Sequence, residues 1–297
     1  MNVDISGKTN LLYLLGYPAS HSISPKMHTL AASLTGQPYV YLALDVSPEQ
    51  LRDVVAALHI IGIRGFNLTM PHKEAVIPML HELSGAASLC RSVNTVVNDR
   101  GKLIGYTTDG IGYMESLRDA DIHIEGENMT ILGCGGAARS IIAQAATDGV
   151  KKITIVKRNH AEAGGQDPTY LDAVRYAERI SRGTQAEVEV IDFADEAAIR
   201  DAVDHSAILT NATPVGMKED VSPVDASIIR SDLIVSDIIY HPAKTKLLRD
   251  AEAVGARYIN GYYMLLFQGA AAFKLWTGVD MPIEPVRAEC FSDTEQV

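Results

Sequence analysis

Residues 129–138, Met-Thr-Ile-Leu-Gly-Cys-Gly-Gly-Ala-Ala, set an apolar run directly before a glycine turn and a helix-forming stretch directly after it. The turn has the spacing G-x-G-x-x-A. Gly133 permits the tight bend, Gly135 lets a ligand approach the backbone, and Ala138 lets the helix lie close to the strand. The helix N-terminus adds free N–H groups and a partial positive charge, which suit a pyrophosphate. A short glycine pattern gains its weight from the flanking strand and helix. It predicts a dinucleotide-binding domain in which Gly133, Cys134, Gly135, Gly136 and Ala137 line the phosphates.

The flanking sequence supports a parallel sheet. Strands are predicted over 128–132, 152–156, 187–191, 207–211 and 233–237, with helices over 138–148, 170–181 and 197–203 between them. The first half alternates as well. Strands are expected over 11–15, 39–45 and 65–68. Helices are expected from Pro25 with Ser24 as N-cap, over 51–60, and from Pro71 to about Glu82. Residues 93–98 and 102–106 read as paired strands around Asp99-Arg100-Gly101. A helix is expected over 110–117, another after Gly261 through Trp276, and a last one after Pro282.

The 297 residues are enough for about two domains. Aliphatic residues are plentiful and aromatic ones make up 6%, the balance of buried parallel strands. The net charge of −11 disfavours nucleic acid and anionic membrane as partners. Cys90, Cys134 and Cys290 form no metal-binding spacing, so no metal is expected and the thiols read as reduced. The N-terminal region has only the short apolar run 11–15 before Gly16, and no stretch approaches membrane-spanning length; a cytoplasmic protein is expected.

The strand after the glycine turn bears on cofactor choice. It ends Val156-Lys157-Arg158-Asn159-His160, where an NAD site would carry a carboxylate for the ribose hydroxyls. Lys157 and Arg158 attract a 2′-phosphate, so NADP is preferred; the alternative is NAD, with Asp167 reaching the ribose.

Several polar residues lie where predicted strands end, the edge at which open α/β sheets bind ligands. They are Ser22 and Ser24 after the first strand, Thr69 and Lys73 after the third, Asn94 in Ser92-Val-Asn-Thr95, and Asp109 in Thr108-Asp-Gly110. Each alone has a bland structural use as a cap, a core amide or a surface charge.

Together, Ser22-Ile-Ser-Pro25, Gly65-Phe-Asn-Leu-Thr-Met-Pro-His-Lys73, Ser92-Val-Asn-Thr95, Thr108-Asp-Gly110 and the glycine turn resemble the shikimate dehydrogenases. Asn211-Ala-Thr-Pro-Val-Gly216, Asp237-Ile-Ile-Tyr240 and Asn260-Gly-Tyr-Tyr-Met-Leu-Leu-Phe-Gln268 extend the resemblance over nearly the whole chain. The run 262–270 and Leu275-Trp-Thr-Gly278 look closest to the branch that also accepts quinate.

The resemblance implies an α/β protein of two domains. An N-terminal α/β substrate domain (1–109, completed by C-terminal helices within 262–297) and a Rossmann-type dinucleotide-binding domain (110–261) are expected. It implies reversible oxidation of shikimate, and of quinate as a second substrate, with NADP or NAD. Lys73 and Asp109 would be the catalytic dyad. Ser22, Ser24 and Tyr240 would hold the substrate carboxylate, and Thr69, Asn94 and Gln268 the ring hydroxyls. Lys157, Arg158 and Asn159 would take the adenosine end of the cofactor, and Thr213, Ile238 and Gly261 its nicotinamide half. The chain departs from the family's cofactor signatures at His160 and Glu162, which leaves NADP and NAD both open. A homodimer is the candidate assembly. The competing readings are a non-catalytic dinucleotide sensor and a dehydrogenase for an amino analogue of shikimate.

Overall fold

The computed structural model describes residues 5–160 and 167–291. Its described residues divide into two compact units. One runs through Tyr113 and resumes at Leu265; the other is Met114–Met264.

The first unit contains β1 (Asn10–Gly16), α1 (Ser24–Leu34), β2 (Tyr39–Asp45), α2 (Leu51–Ile60), β3 (Gly65–Leu68), α3 (His72–Ala75), β4 (Glu82–Leu83), α4 (Gly85–Cys90), β5 (Thr95–Asp99) and β6 (Lys102–Tyr106). The α5 helix (Asp109–Asp119) crosses into the second unit. There follow β7 (Asn128–Leu132), α6 (Gly136–Thr147), β8 (Lys152–Lys157), α7 (Pro168–Gly183), β9 (Glu187–Asp192), α8 (Glu196–Asp204), β10 (Ile208–Asn211), β11 (Ile234–Asp237), α9 (Lys246–Ala253) and β12 (Tyr258–Ile259). The α10 helix (Tyr262–Thr277) returns to the first unit, where α11 (Ile283–Cys290) follows. None of the described helices is long and apolar enough to cross a membrane.

The first sheet has the order β2-β1-β3-β5-β6-β4. Strands β1, β2 and β3 are parallel, whereas β5 and β6 form an antiparallel hairpin against β3. Alternation along β1 divides the core. Tyr13 and Leu15 pack with Leu51, Val55 and Phe66, while Leu12 and Leu14 pack with Tyr41, Ala272 and Trp276. Because β5 runs backward, its first residues lie at the edge where β3 and β6 end: Asn67 pairs with Thr95, and Thr95 with Tyr106. That edge collects the polar residues of the site.

Close approach fixes one glycine. The Trp276 indole donates from Nε1 to the Val96 carbonyl at 2.9 Å. A Cβ on Gly65 would stand 2.3 Å from that carbonyl oxygen and 2.4 Å from Nε1.

The second sheet is wholly parallel, in the order β12-β11-β10-β7-β8-β9. The chain builds outward from β7 in one direction and then from β10 in the other, so the switch point lies between those strands. Strands β7, β8 and β10 are buried almost throughout, which the Ile- and Val-rich sequence permits. A buried carboxylate ties the ends of β10 and β11. Asp237 Oδ1 accepts from Asn211 Nδ2 at 3.1 Å and from the Ile239 amide at 3.0 Å, and Oδ2 accepts from Thr245 Oγ1 at 2.7 Å. Burial raises its pKa to about 6, against these hydrogen bonds, which lower it.

Four of the corrections the structure makes to the predicted elements bear on the site. Ser24 is not an N-cap: it is the first residue of α1, Ile23 occupies the cap, and no side chain bonds there. The helix expected from Pro71 to Glu82 stops at Ala75 and gives way to a 3-10 turn, Ile77–Met79, around Pro78, which has no N–H to continue an α-helix. Helix α6 starts at Gly136, two residues before the expected Ala138, so the glycine turn is itself part of the first helical turn. Strand β5 starts at Thr95, which leaves Val93 and Asn94 just outside it.

Two outcomes follow. Gly65→Ala should destabilise the protein by about 1–3 kcal/mol through overpacking, read as an earlier denaturation midpoint in the fluorescence of Trp276, the sole tryptophan. Asp237 has its carboxyl raised in the folded protein, so its contribution is fully present below about pH 4 and is lost as pH rises through about 6. Relative to Asp237→Asn, the parent protein should therefore lose stability over that window, by on the order of 3 kcal/mol in denaturant titrations. A constant difference across the window would contradict the assignment.

Candidate active site

In the first unit, the loops after β1 and β3 touch: a Cβ on Gly16 would stand 2.3 Å from Thr69 Cγ2. The Thr69 amide donates to the Leu15 carbonyl at 2.9 Å, and the Tyr17 amide to the Met70 carbonyl at 3.1 Å. Asp45, at the end of β2, accepts from the Ala19 amide at 2.5 Å and so anchors the segment that leads to Ser22. Ser22 Oγ in turn accepts from the Ser24 amide at 3.2 Å. Ser24 is buried, and Ser22 and Thr69 are half-buried.

Lys73 projects from the short α3, whose position is fixed when the Lys73 carbonyl accepts from the Val93 amide at 2.8 Å. Its Nζ donates to Asp109 Oδ2 at 2.5 Å. The side chains are 19% and 7% exposed, so Nζ keeps a face for a ligand while the carboxylate is enclosed. Asn94 Nδ2 lies 2.9 Å from Asp109 Oδ1, 2.8 Å from Thr108 Oγ1 and 3.2 Å from Gln268 Oε1. Gln268 is held in turn as its Nε2 donates to the Leu265 carbonyl at 2.9 Å. Lys73, Asp109, Asn94 and Gln268 thus form one connected group. A flexible lysine amine beside an enclosed carboxylate, ringed by amides, can hold a hydroxyl and, as amine or ammonium, take or give its proton.

Three residues of this edge were quoted only as parts of motifs: Asn67, Thr95 and Thr108 are all buried, and Asn67 Nδ2 donates to the Asn94 carbonyl and to Thr95 Oγ1, both at 2.9 Å. The signal for them is a run of polar residues at strand ends that are otherwise apolar, since buried polar groups need partners.

The second unit carries the cofactor-type residues. Gly133 has φ +99°, a backbone state that glycine adopts without strain. A Cβ there would stand 3.0 Å from both Ala212 O and Thr213 Cγ2, so the turns after β7 and β10 meet at the switch point. Gly135 caps α6 with no side-chain bond, and a Cβ on it would meet nothing within 4 Å. An uncapped helix of 12 residues, opening on clear space, fits a dinucleotide pyrophosphate. Gly136 and Ala137 form the helix's first turn, and Cys134 is buried, with its thiol pushed up by burial. Arg139, also buried, donates from Nε to the Cys134 carbonyl at 3.2 Å and pairs with Asp172.

Lys157 ends β8 and Arg158 is exposed, its guanidinium carbon 5.4 Å from the Phe193 ring centre. Asn159 Oδ1 accepts from the Asp167 amide at 2.9 Å, and the Asp167 side chain caps α7 through the Thr169 amide. Asp167 is therefore engaged as an N-cap. Glu162 and the rest of 161–166 lie outside the described residues.

The loop after β10 is organised by Asn211, whose Oδ1 accepts from the Thr213 amide at 3.0 Å and from Thr213 Oγ1 at 2.7 Å. Gly261 is needed at its place: a Cβ there would stand 2.1 Å from the Ile238 carbonyl oxygen. Tyr240 follows, its ring centre 6.0 Å from that of Tyr262 and its phenol pKa raised by burial. Of the eight residues expected at the substrate and dyad, Tyr240 alone belongs to the second unit.

Known proteins resemble this chain over nearly its whole length. Residues 14–96 match the family model for the shikimate dehydrogenase substrate binding domain, and residues 261–291 that for the shikimate 5'-dehydrogenase C-terminal domain. A shikimate dehydrogenase (NADP(+)) of Listeria monocytogenes is 43% identical over 291 residues, 97% of each chain. The crystal structure of shikimate 5-dehydrogenase from Listeria monocytogenes in complex with shikimate and NAD has a TM-score of 0.90 at 42% identity, over 98% of this chain and 99% of that one. A shikimate dehydrogenase in complex with NADP+ gives 0.86 at 37%, over 98% of both chains. A quinate dehydrogenase from Corynebacterium glutamicum in complex with NAD gives 0.83 at 29%, over 96% of this chain and 99% of that one. The enclosed Lys73–Asp109 pair and the open glycine turn thus sit in a chain that belongs to the shikimate dehydrogenase family.

Proposed function

We propose that this oxidoreductase interconverts shikimate and its 3-dehydro ketone, with Lys73 and Asp109 as the catalytic pair. The observation that carries the reading is the 2.5 Å contact between a partly open ammonium and an enclosed carboxylate, in a group with Asn94 and Gln268. The dinucleotide, when bound, exchanges a hydride with the substrate carbon. In the oxidation direction, Lys73 Nζ in its neutral amine form would take the hydroxyl proton as the hydride leaves the substrate carbon for the dinucleotide and the carbonyl forms; in reduction its ammonium form would return that proton to the oxygen. Asp109 Oδ2 keeps Nζ aimed, and Asn94 Nδ2 keeps the carboxylate aimed. Ser22, Ser24 and Tyr240 are assigned to the substrate carboxylate, and Thr69, Asn94 and Gln268 to ring hydroxyls. An amide or hydroxyl lost from such a group leaves a polar substrate atom unpaired, which is the basis of its selectivity.

NADP is the favoured cofactor. Lys157 and Arg158 stand at the end of β8, and Asp167, the carboxylate that would serve an NAD ribose, is occupied in capping α7. Thr213, Ile238 and Gly261 are assigned to the nicotinamide half. Quinate is proposed as a second substrate on the likeness of 262–270 to that branch. A cytoplasmic location and a homodimeric assembly complete the reading; the reduced state read for the thiols of Cys90, Cys134 and Cys290 supports the first. The proton-transfer pair weighs against a non-catalytic sensor, and parallel assays with shikimate, quinate and an amino analogue decide among substrates.

Lys73→Ala should lower kcat for shikimate by about 10²–10⁴-fold and leave the dinucleotide dissociation constant unchanged in fluorescence titration. Normal turnover in that variant would remove Lys73 from the role. Arg158→Ala should weaken NADP by about tenfold or more while changing NAD little, and an equal loss for both would rule out a phosphate contact.

A further inference from the structure

Behind the Lys73–Asp109 pair lies a chain of buried hydrogen bonds with one direction. Tyr41 OH donates to Asn67 Oδ1 at 2.7 Å. That turns the Asn67 amide so that Nδ2 donates to Thr95 Oγ1 at 2.9 Å and to the Asn94 carbonyl at 2.9 Å. Thr95 Oγ1, having accepted, donates to Asn94 Oδ1 at 3.2 Å, where the Thr108 amide also donates at 2.8 Å. Both donors fix the Asn94 amide with its Nδ2 toward Asp109 Oδ1 at 2.9 Å.

A side-chain amide has one accepting and one donating end, and its two orientations differ little in shape. Each orientation here is held by the side chain before it together with a backbone group: the Asn94 carbonyl for Asn67, and the Thr108 amide for Asn94. At the head of the chain stands a phenol, which as a neutral group can give its proton only once. The Tyr41 ring is stacked on His28 at 4.5 Å and fully buried, and burial holds its pKa well above the ordinary value, so it stays a donor.

We propose that Tyr41, Asn67 and Thr95 are positioning residues: acting with the Thr108 amide, they hold the polarity of the Asn94 amide, and so keep an N–H rather than a carbonyl on the Asp109 carboxylate. With the amide reversed, Asn94 Oδ1 would face Asp109 Oδ1, and two acceptors would repel across a buried gap. The carboxylate would then turn away from the line that aims Lys73. The proposal rests on the Lys73–Asp109 reading and deepens it.

Thr95 separates polarity from packing. Valine keeps the shape and loses the hydroxyl; serine keeps the hydroxyl and loses the methyl. The experiment measures kcat and KM for shikimate, the dinucleotide dissociation constant by fluorescence titration, and the melting temperature, for Thr95→Val, Thr95→Ser and Tyr41→Phe. Thr95→Val and Tyr41→Phe should each lower kcat by about tenfold with dinucleotide binding unchanged, while Thr95→Ser stays within about threefold of the parent. A kcat for Thr95→Val equal to the parent's, or above that of Thr95→Ser, overturns the proposal. If Thr95→Val does not fold, Tyr41→Phe decides: full kcat there overturns it. Lys73→Ala run alongside separates the two failures. Normal turnover in that variant removes the dyad, and the positioning claim with it. An inactive Lys73→Ala with an inverted threonine series removes the positioning claim alone.

Discussion

A buried carboxamide must find acceptors for two N–H bonds and donors for its oxygen, or lose several kcal/mol of hydration without return, roughly 1–3 for each unpaired group. In the first unit that demand falls on Asn94, which is 2% exposed and stands at the edge where β3, the start of β5 and the end of β6 come together. Its amide meets Asp109, Thr108, Gln268, Thr95 and the chain turn at Thr108. The α10 helix and the β5–β6 hairpin are therefore not free to shift past one another without breaking bonds that water cannot replace. Lys73 borrows this rigidity: it is the partly exposed member of a group whose other members are buried.

The second unit uses the same device for a different end. Asn211 and Asp237 are buried at the ends of adjacent parallel strands and bond to each other. Their remaining valences hold the turns that carry Thr213 and Ile239. Polar side chains at strand ends thus satisfy one another and leave backbone as the surface offered to a ligand. At the glycine turn, Gly133 lets two such turns touch and Gly135 leaves the helix N-terminus clear.

Much of this was legible in the sequence, and the reasons differ by element. The glycine turn was legible because steric demands on a strand–turn–helix join admit few residues. The strands 39–45, 65–68 and 128–132 were legible to the residue because each is a β-rich run closed by turn residues. The helix after Pro71 was not: its apolar spacing continues past the point where Pro78 removes an amide, and spacing does not register that loss. Helix α9 escaped for the opposite reason, since its charged residues hide the apolar face formed by Leu247, Leu248 and Ala251. At the site, Lys73, Asp109 and Asn94 were named from motifs. The roles of Asn67 and Thr95 depend on amide orientation, a property of three-dimensional neighbours that no linear pattern encodes.

The order of the units along the chain bears on how the protein is made. The Met114–Met264 unit is continuous, so every strand of its sheet is available once that stretch has been synthesised. The first unit begins earlier but is completed later: Gln268, which bonds Asn94, and Trp276, which seals β3 against β5, are translated only after the whole of the second unit. A nascent chain therefore carries an unfinished first sheet through synthesis of some 150 residues, at rates of roughly 5–20 residues per second. During those seconds the Leu12, Leu14 and Tyr41 face lacks its covering helix. It is the surface that a ribosome-associated chaperone would meet, and the helix that buries it also carries Gln268, so protection of the core and completion of the Asn94 hydrogen-bond group arrive together.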